Sequence, residues 1–218
     1  MTIKTNSLTL EKSSNNFGIA LFFSIIIAII AGIFVLVYGK QESFILINSN
    51  HISYLDTFFK YFTYAGDGYM WLLILIICYF FKRKYVLAVL ISVIISTLLS
   101  QFLKRVIFYE DLRPITFLAE DFPVRAVKGV YTKLLHSFPS GHATSAFTVS
   151  LILAYMINKK SWSLILPVLA FLIGYSRVYL AQHFVTDVFA GMCLGIISAV
   201  LSLLIYRNIF KKKTSNQD

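Results

Sequence analysis

Six long apolar segments alternate with polar and charged stretches along this chain. They cover residues 17–38, 65–81, 85–103, 141–158, 162–179 and 184–206. A helix needs about 20 apolar residues to cross a bilayer, and each segment comes close to that length. The apolar runs are continuous rather than alternating, which favours helices over the strands of a membrane barrel. The pattern therefore predicts an all-α polytopic membrane protein with six transmembrane helices.

The composition supports this class of protein. Hydrophobic residues make up 58% of the chain, whereas soluble domains contain about 45–50%. At 218 residues we expect one membrane-embedded domain over residues 1–218. The first apolar segment is long enough to span a membrane and follows a mostly polar stretch, so we expect no cleaved signal peptide. Cys78 and Cys193 both lie inside apolar segments, which argues against a disulfide scaffold.

The distribution of Lys and Arg predicts the orientation in the membrane. An even number of spans places both termini on one side, and nearly all of the formal net charge of +10 falls on that side. In membrane proteins the cytoplasmic loops carry the excess of Lys and Arg. We therefore predict a multi-pass protein of the cytoplasmic (inner) membrane with both termini in the cytoplasm. The basic residues are expected to contact anionic lipid headgroups and not nucleic acid.

Two long connections are predicted on the outer face, over residues 39–64 and 105–139. The first contains the aromatic stretch 54–64, for which a helix in the membrane interface and an ordinary packed loop are equally good explanations. The second is too long for a simple turn and is expected to carry function. Other ionisable residues lie near these connections. His51 and His136 are assigned to outer loops. Asp67, Glu110 and Asp111 are expected to be solvated loop acids, with the alternative that Glu110 and Asp111 shape the pocket.

A different set of polar residues gathers at the outer ends of the predicted helices, at a depth where ionisable groups are costly. They are Lys104 and Arg105 after the third span, Arg113 in the long connection, Ser140, Gly141 and His142 at the start of the fourth span, Arg177 at the end of the fifth, and His183 and Asp187 at the start of the sixth. Because all these positions share one membrane face, a six-helix bundle can bring them together in one pocket.

Three of these residues, Lys104, Arg113 and Arg177, are cations that would repel one another in a small pocket unless an anion joined them. A phosphate group carries about −1.5 to −2 charge, and a guanidinium can grip two of its oxygens at once. Ser140 suits a helix cap or a hydroxyl donor, and Gly141 lets the backbone approach a ligand closely. The free N–H groups of the helix start would face the same anion. This set predicts a phosphate-binding site.

The two histidines can supply the reaction. His183 and Asp187 are four residues apart, so on a helix they share a face. An Asp that accepts a hydrogen bond from one ring nitrogen leaves the other as a nucleophile or base. His142 can then protonate the leaving oxygen. The set predicts phosphoryl transfer through a covalent phosphohistidine, followed by attack of water.

The stretches KRVIFYEDLRP, PSGH and SRVYLAQHFVTD together resemble the signature of the type-2 phosphatidic acid phosphatase family, which is Lys-x6-Arg-Pro, Pro-Ser-Gly-His and Ser-Arg-x5-His-x3-Asp. The second and third blocks match without deviation. The resemblance implies a six-helix lipid phosphate phosphatase that needs no metal or other cofactor. It implies His183 as nucleophile, Asp187 as its partner and His142 as general acid. It implies five phosphate ligands: Lys104, Arg113, Ser140, Gly141 and Arg177.

The first block departs from the family pattern. Lys104 lies nine residues before Arg113 instead of seven, which gives Lys-x8-Arg-Pro. Two extra residues in a loop cost little closure entropy, so Lys104 can keep its role. Arg105 is the alternative for that role.

Other functions remain open on the sequence alone. A zinc hydrolase would use His142, His183 and Asp187 as ligands, although the nearby cations would repel the metal. A triad of Ser140 with His183 and Asp187 lacks the G-x-S-x-G elbow. A phosphotransferase would pass the phosphate of the same phosphohistidine to another lipid. A non-enzymatic lipid phosphate carrier would need the cations but no oriented His–Asp pair.

The expected substrate is a lipid phosphate, because a pocket at headgroup depth lets the tails stay in the bilayer. The resemblance suggests phosphatidylglycerol phosphate, phosphatidic acid, a polyprenyl diphosphate or a lipid A phosphate. The motifs grip phosphate in all of these, so selectivity is expected in residues 39–64 and 105–139. The catalytic motifs lie within residues 104–187, on the outer face, and no obligate protein partner is inferred.

Overall fold

The apolar segments form helices in a computed structural model of the protein. The structure describes the backbone of residues 2–118, 122–157 and 159–215, and the side chains of residues 13–118, 122–157 and 159–209. Within these ranges the chain forms helices and connections and no β-strand. The helices are α1 (Thr2–Asn48), α2 (Ser53–Phe62), α3 (Gly68–Phe81), α4 (Val86–Phe102), α5 (Pro114–Phe117), α6 (Gly141–Met156), α7 (Trp162–Tyr179) and α8 (Val185–Ser215). The predicted all-α class is confirmed.

Three short turns adjoin these helices, and two of them, Thr63–Gly66 and Leu103–Ile107, lie next to the site. A 3₁₀ turn, Thr63–Gly66, links α2 to α3, and a second one, Arg83–Tyr85, precedes α4. A π-helical turn, Leu103–Ile107, extends α4 at its far end. Turns of the 3₁₀ type are common at helix ends, and π-helical turns are frequent at functional sites.

Four of the six predicted segments match helices closely, and α7 matches to the residue; Asn158, the predicted end of the fourth segment, lies outside the described residues. The sixth segment was predicted to end at Tyr206, but α8 continues to Ser215. The first segment is different. The predicted connection from residue 39 is wrong for its first part, because α1 continues to Asn48 beyond a break at Gly39. Gly39 has a φ of 74°, which glycine adopts without a side-chain clash. The helix resumes because it buries Phe44 and Asn48 against the bundle.

The aromatic stretch 54–64 is helical and not an irregular loop, whereas its location in the membrane interface stays a prediction. α2 covers most of this stretch and places Phe59 against the C-terminal end of α7. The ring centroid of Phe59 lies 5.5 Å from that of Tyr175 and 4.9 Å from that of Tyr179. This contact holds α2, and the turn after it, next to the end of α7 where Arg177 is found.

Four helical stretches in the described ranges are long and apolar enough to cross a membrane: Ser13–Asn48, Arg83–Ile107, Trp162–Tyr179 and Val185–Ile209. The pair Ser53–Gly66 and Gly68–Phe81 is bent by 56° and would be a fifth span if the two parts cross together. α6 has 16 residues, slightly fewer than a typical span. The structure thus contains four or five candidate spans by this measure, and the six-span arrangement stays a prediction.

α6 lies at the centre of the bundle, where it packs against α1, α4, α7 and α8. Its contact with α8 is close because α8 presents glycines. A Cβ added to Gly195 would lie 2.7 Å from both the Thr144 carbonyl oxygen and Phe147 Cβ, and one added to Gly191 would lie 2.6 Å from the Ser140 carbonyl oxygen. Small residues spaced four apart let membrane helices approach in this way. The packing fixes the start of α6 beside the start of α8.

Candidate active site

A cavity of about 680 Å³ opens where α4 ends and where α6 and α8 begin. Six of the eight predicted site residues line it: Lys104, Arg113, Gly141, His142, Arg177 and His183. The other lining residues are Asp67, Gln101, Arg105, Tyr131, Lys133, His136 and Gln182. Ser140 and Asp187 are fully buried, and the Ser140 N–H donates to the Asp187 carbonyl oxygen at 2.9 Å. Residues that are far apart in the sequence therefore converge at one place.

His183 is held by Asp187. Its Nδ1 lies 3.3 Å from Asp187 Oδ2. The same carboxylate oxygen accepts hydrogen bonds from Ser137 Oγ at 2.5 Å and from the Phe184 N–H at 3.0 Å. These donors fix the carboxylate, and the carboxylate fixes the imidazole. Nε2 is therefore the nitrogen of His183 that is left for chemistry in the cavity.

The surroundings of His183 keep its ring neutral. The side chain is 2% exposed, and burial lowers its pKa well below the usual value of 6.5. The positive charges of Arg113, Lys104 and Arg177 lower this pKa further. A neutral imidazole keeps the Nε2 lone pair that a nucleophile requires.

Gln182 joins the two buried guanidinium groups of the site. Arg113 donates from Nη1 to the Gln182 carbonyl oxygen at 2.8 Å and from Nε to the Leu135 carbonyl oxygen at 3.1 Å. Arg177 donates from Nη1 to Thr63 Oγ1 at 2.7 Å and from Nη2 to Gln182 Oε1 at 3.4 Å. Both arginines are held in place through neutral acceptors.

In the described structure, the cations of the cavity are not paired directly with acidic side chains. None of Lys104, Arg113 and Arg177 forms an ion pair with a carboxylate in the part of the chain that the structure describes. Arg177 Nε is buried and has no hydrogen-bond partner among the described residues. Burying charge without a partner is costly, and an anion that entered the cavity would remove this cost. The arrangement suits a phosphate group.

Lys104 lies deeper than its alternative, Arg105. The π-helical turn places both side chains at the cavity. Lys104 Nζ donates to the His136 carbonyl oxygen at 2.9 Å and to that of Ser137 at 3.4 Å. Arg105 is more exposed and donates from Nε to Gln101 Oε1 at 2.9 Å. The burial and the contacts with the long loop favour Lys104 for the lysine role.

Ser140 caps α6, as the sequence predicts. It has extended backbone angles, and its Oγ accepts a hydrogen bond from the Ala143 N–H at 3.4 Å. Ser140 is fully buried and does not line the cavity, whereas Gly141 does. Its part in binding phosphate stays a prediction.

Asp67 was expected to be a solvated loop acid, and this expectation is wrong. Its Oδ1 lies 2.8 Å from His142 Nε2, and its side chain is 27% exposed at the cavity wall. Asp67 directly precedes α3 and stands at a helix end on the same side of the bundle as the other site residues. This position, directly before a helix, could have identified Asp67 as a site residue from the sequence.

Several neutral residues of the site carry no signal in the sequence. Ser137, Gln182 and Thr63 act only through hydrogen bonds to Asp187, Arg113 and Arg177.

Of the remaining predicted loop residues, Glu110 is exposed, Asp111 Oδ1 lies 3.7 Å from Lys40 Nζ, and His51 Nδ1 lies 3.0 Å from Asp56 Oδ1. His136 is in the long loop as expected, but it lines the cavity.

Comparisons with known proteins point to one family. A family model described as the PAP2 superfamily matches residues 84–211. An undecaprenyl-diphosphatase from Sulfolobus acidocaldarius is 32% identical over 167 residues, which are 75% of this chain and 77% of that protein. Aquifex aeolicus LpxE has a similar structure, with a TM-score of 0.67 and 36% identity over 75% of this chain and 94% of LpxE. A PAP2-type phosphatidylglycerolphosphate phosphatase from Bacillus subtilis gives a TM-score of 0.63 and 25% identity, covering 91% and 97% of the two chains.

The family match contains all three sequence blocks that carry the resemblance, from Lys104 to Asp187. It covers more than half of the chain, and the Sulfolobus protein is matched over most of its length. The chain therefore belongs to the type-2 phosphatidic acid phosphatase (PAP2) superfamily.

Proposed function

We propose that this protein removes phosphate from a lipid phosphate at the outer face of the cytoplasmic membrane, through a covalent phosphohistidine on His183. The observation that carries the proposal is the cavity itself. In it a buried imidazole, oriented by Asp187, faces cations that have no described carboxylate partner. Lipid substrates are supported by relatives named as an undecaprenyl-diphosphatase and a phosphatidylglycerolphosphate phosphatase.

In the first step, His183 Nε2 attacks the phosphorus atom, and the bond from phosphorus to the leaving oxygen breaks. His142 gives its proton to that oxygen, so the lipid leaves as an alcohol, or as a monophosphate if the substrate is a diphosphate. Asp187 stabilises the positive charge that develops on the phosphorylated imidazole. Fixed positive groups aimed at the transferring phosphoryl group are usually the largest contribution to such catalysis.

In the second step, water attacks the phosphohistidine from the side that the lipid has left. His142 is now neutral and takes a proton from the water. The bond from phosphorus to Nε2 breaks, and His183 returns to its neutral form. Inorganic phosphate then leaves, and the cycle is complete with no other reactant.

The phosphate oxygens are proposed to contact Lys104, Arg113 and Arg177, with Gly141 and Ser140 at the start of α6. Gly141 lines the cavity, and the N–H groups of a helix start favour an anion. Arg177 Nε provides a further donor, since it has no partner in the described structure. This set surrounds the phosphate with positive charge and leaves the attacking side to His183.

The rival mechanisms receive less support. Within the described residues, no three His, Cys, Asp or Glu side chains are grouped as metal ligands, and the cations would repel a dication. A Ser140 nucleophile is disfavoured because its Oγ is buried and accepts from Ala143. A phosphotransferase would share the first step and differ only in the acceptor.

Phosphate release from purified protein in detergent tests the proposal. With a panel of lipid phosphates, we expect inorganic phosphate to appear without any added acceptor lipid, and vanadate to inhibit as a mimic of the five-coordinate transition state. A phosphotransferase would release its product only after an acceptor lipid is added, and a carrier would bind substrate without turnover. Strong inhibition by a chelator that zinc reverses would support the metal mechanism instead.

We further propose a single unit with six spans, in which the bent pair α2–α3 provides the second span and α6 the fourth. The arrangement is supported by Lys82, Arg83 and Lys84 between α3 and α4, and by Lys159 and Lys160 between α6 and α7. These basic stretches are expected in the cytoplasm, together with both termini. The cavity then faces the outside.

Thiol labelling of intact cells tests this orientation. In a chain whose two native cysteines are replaced by alanine, Lys133→Cys is expected to react with a membrane-impermeant maleimide added outside. Lys160→Cys is expected to react only after the cells are opened. Both positions are exposed, so a reversed pattern would contradict the orientation and not reflect burial.

A further inference from the structure

Residues 63–67, with the sequence TYAGD, contact two of the predicted site residues and lie outside the family match. The family model begins at residue 84, so none of its motifs includes this segment. Thr63 Oγ1 accepts the hydrogen bond from Arg177 Nη1 at 2.7 Å. Asp67 Oδ1 lies 2.8 Å from His142 Nε2. The 63–67 segment therefore supports both a cation of the phosphate site and the proposed proton donor.

The segment packs directly on the His142 ring. A Cβ added to Gly66 would lie 3.1 Å from His142 Cδ2, 3.2 Å from His142 Cβ and 2.6 Å from Ile173 Cγ2. The backbone at this point can come so close only because residue 66 has no side chain. The imidazole is thus confined on one side by Gly66 and bonded through Nε2 to Asp67.

The carboxylate of Asp67 is directed to His142 and not to its own helix. Asp67 occupies the position before α3, where a side-chain oxygen normally accepts from a helix N–H. Here the side chain makes no capping hydrogen bond. Asp67 and His142 both line the cavity, with side chains 27% and 21% exposed. The pair therefore faces the space that a substrate would occupy.

The charges around His142 explain what this pair does. Arg113 and Arg177 line the same cavity as His142, and nearby positive charges disfavour a further positive charge on its ring. A proton donor must nevertheless hold a proton when the lipid leaves. Among the described residues, Asp67 is the carboxylate that contacts this ring, and a contacting negative charge favours an imidazolium.

We propose that Asp67 is a positioning residue that holds the His142 ring and keeps it protonated for transfer to the leaving oxygen. This inference rests on the proposed function, because it assigns Asp67 to the first step of that reaction. Thr63 and Gly66 complete the support, one by holding Arg177 and the other by allowing the close approach. In the second step the same carboxylate stabilises His142 as it takes the proton from water.

Asp67→Asn tests the proposal by its dependence on the leaving group. We expect kcat for a lipid phosphate with an alkyl leaving group to fall by about 10²-fold, at the lower end of general acid contributions, with KM little changed. For an aryl phosphate such as p-nitrophenyl phosphate, the leaving oxygen needs little protonation, so the loss should be several-fold smaller. Asp67→Glu should recover part of the activity on the alkyl substrate.

Asp56→Asn is the matched control. Asp56 also pairs with a histidine, His51, at 3.0 Å, but neither residue lines the cavity. Any loss in this variant should be the same for both substrates. An Asp67→Asn variant that stays folded and loses activity equally on both substrates, or loses none, would overturn the inference. A wild-type protein that forms no phosphohistidine would instead overturn the proposed function.

Discussion

Replacing His183 with alanine is expected to abolish turnover while substrate binding stays measurable. The variant removes the atom that forms the covalent intermediate, and loss of a nucleophile in such a unit costs about 10⁴-fold or more in kcat. Lys104, Arg113 and Arg177 remain around the cavity, so the phosphate is still attracted. The measurement is phosphate release together with acid-labile phosphoprotein, which should form in the wild type and not in His183→Ala.

His51→Ala is the control for the loss of a buried imidazole. Its ring pairs with Asp56 and stacks on Tyr179 with a centroid distance of 4.2 Å, away from the cavity. We expect this variant to lose stability but to form the phosphoprotein. Equal losses of binding and turnover in His183→Ala would show that His183 is structural and would contradict its role as nucleophile.

The pH dependence of the wild type follows from the lowered pKa of His183. A histidine whose pKa lies below 6.5 in the folded protein stays neutral near pH 7 and is protonated only as the pH falls through that lower pKa. The nucleophile is therefore lost only at acid pH. In kcat/KM against pH, we expect the acid limb well below pH 6.5.

The sequence predicted most helices well, because a membrane-spanning helix is identified by the mean hydropathy of a window of about 20 residues. Its errors lie where a local conformation decides the outcome. The break at Gly39 depends on a positive φ, and the helical continuation to Asn48 depends on burial of Phe44 against Phe184, whose ring centroid lies 5.5 Å away. Neither effect can be read from periodicity within the first apolar segment.

The site was predictable where its residues carry charge at a helix end. Arg177, His183 and Asp187 stand out because ionisable groups are rare beside apolar runs. Asp67 met the same criterion but was predicted to be a solvated loop acid. Its partner His142 is 75 residues away in the sequence, so the contact between them could not be predicted from spacing. Gln182 could not be found, because its neutral amide gains a role only when Arg113 and Arg177 both donate to its Oε1.

Arg177→Gln is expected to lose activity without losing stability. Arg177 is 8% exposed, its Nε has no partner among the described residues, and no described carboxylate pairs with it. Removing a charge held for the transition state costs about 10²–10³-fold in kcat. Removing a buried unpaired charge from the empty protein relieves a desolvation penalty, so Tm should stay the same or rise. Arg177→Lys should be impaired as well, because a lysine lacks the planar fork.

Vanadate binding separates this explanation from simple damage to the fold. A ligand that binds only the folded state raises Tm, and a tighter ligand raises it more at the same concentration. Vanadate should therefore raise the Tm of the wild type and have little effect on Arg177→Gln. Arg125→Gln is the matched control, since Arg125 is 53% exposed, pairs with Asp56 at 3.7 Å and lies outside the cavity. It should keep both the activity and the vanadate shift. An Arg177→Gln variant that unfolds at a much lower temperature than the wild type would contradict this prediction. It would show that the hydrogen bonds of Arg177 to Thr63 and Gln182 stabilise the empty protein by more than burial of the charge costs.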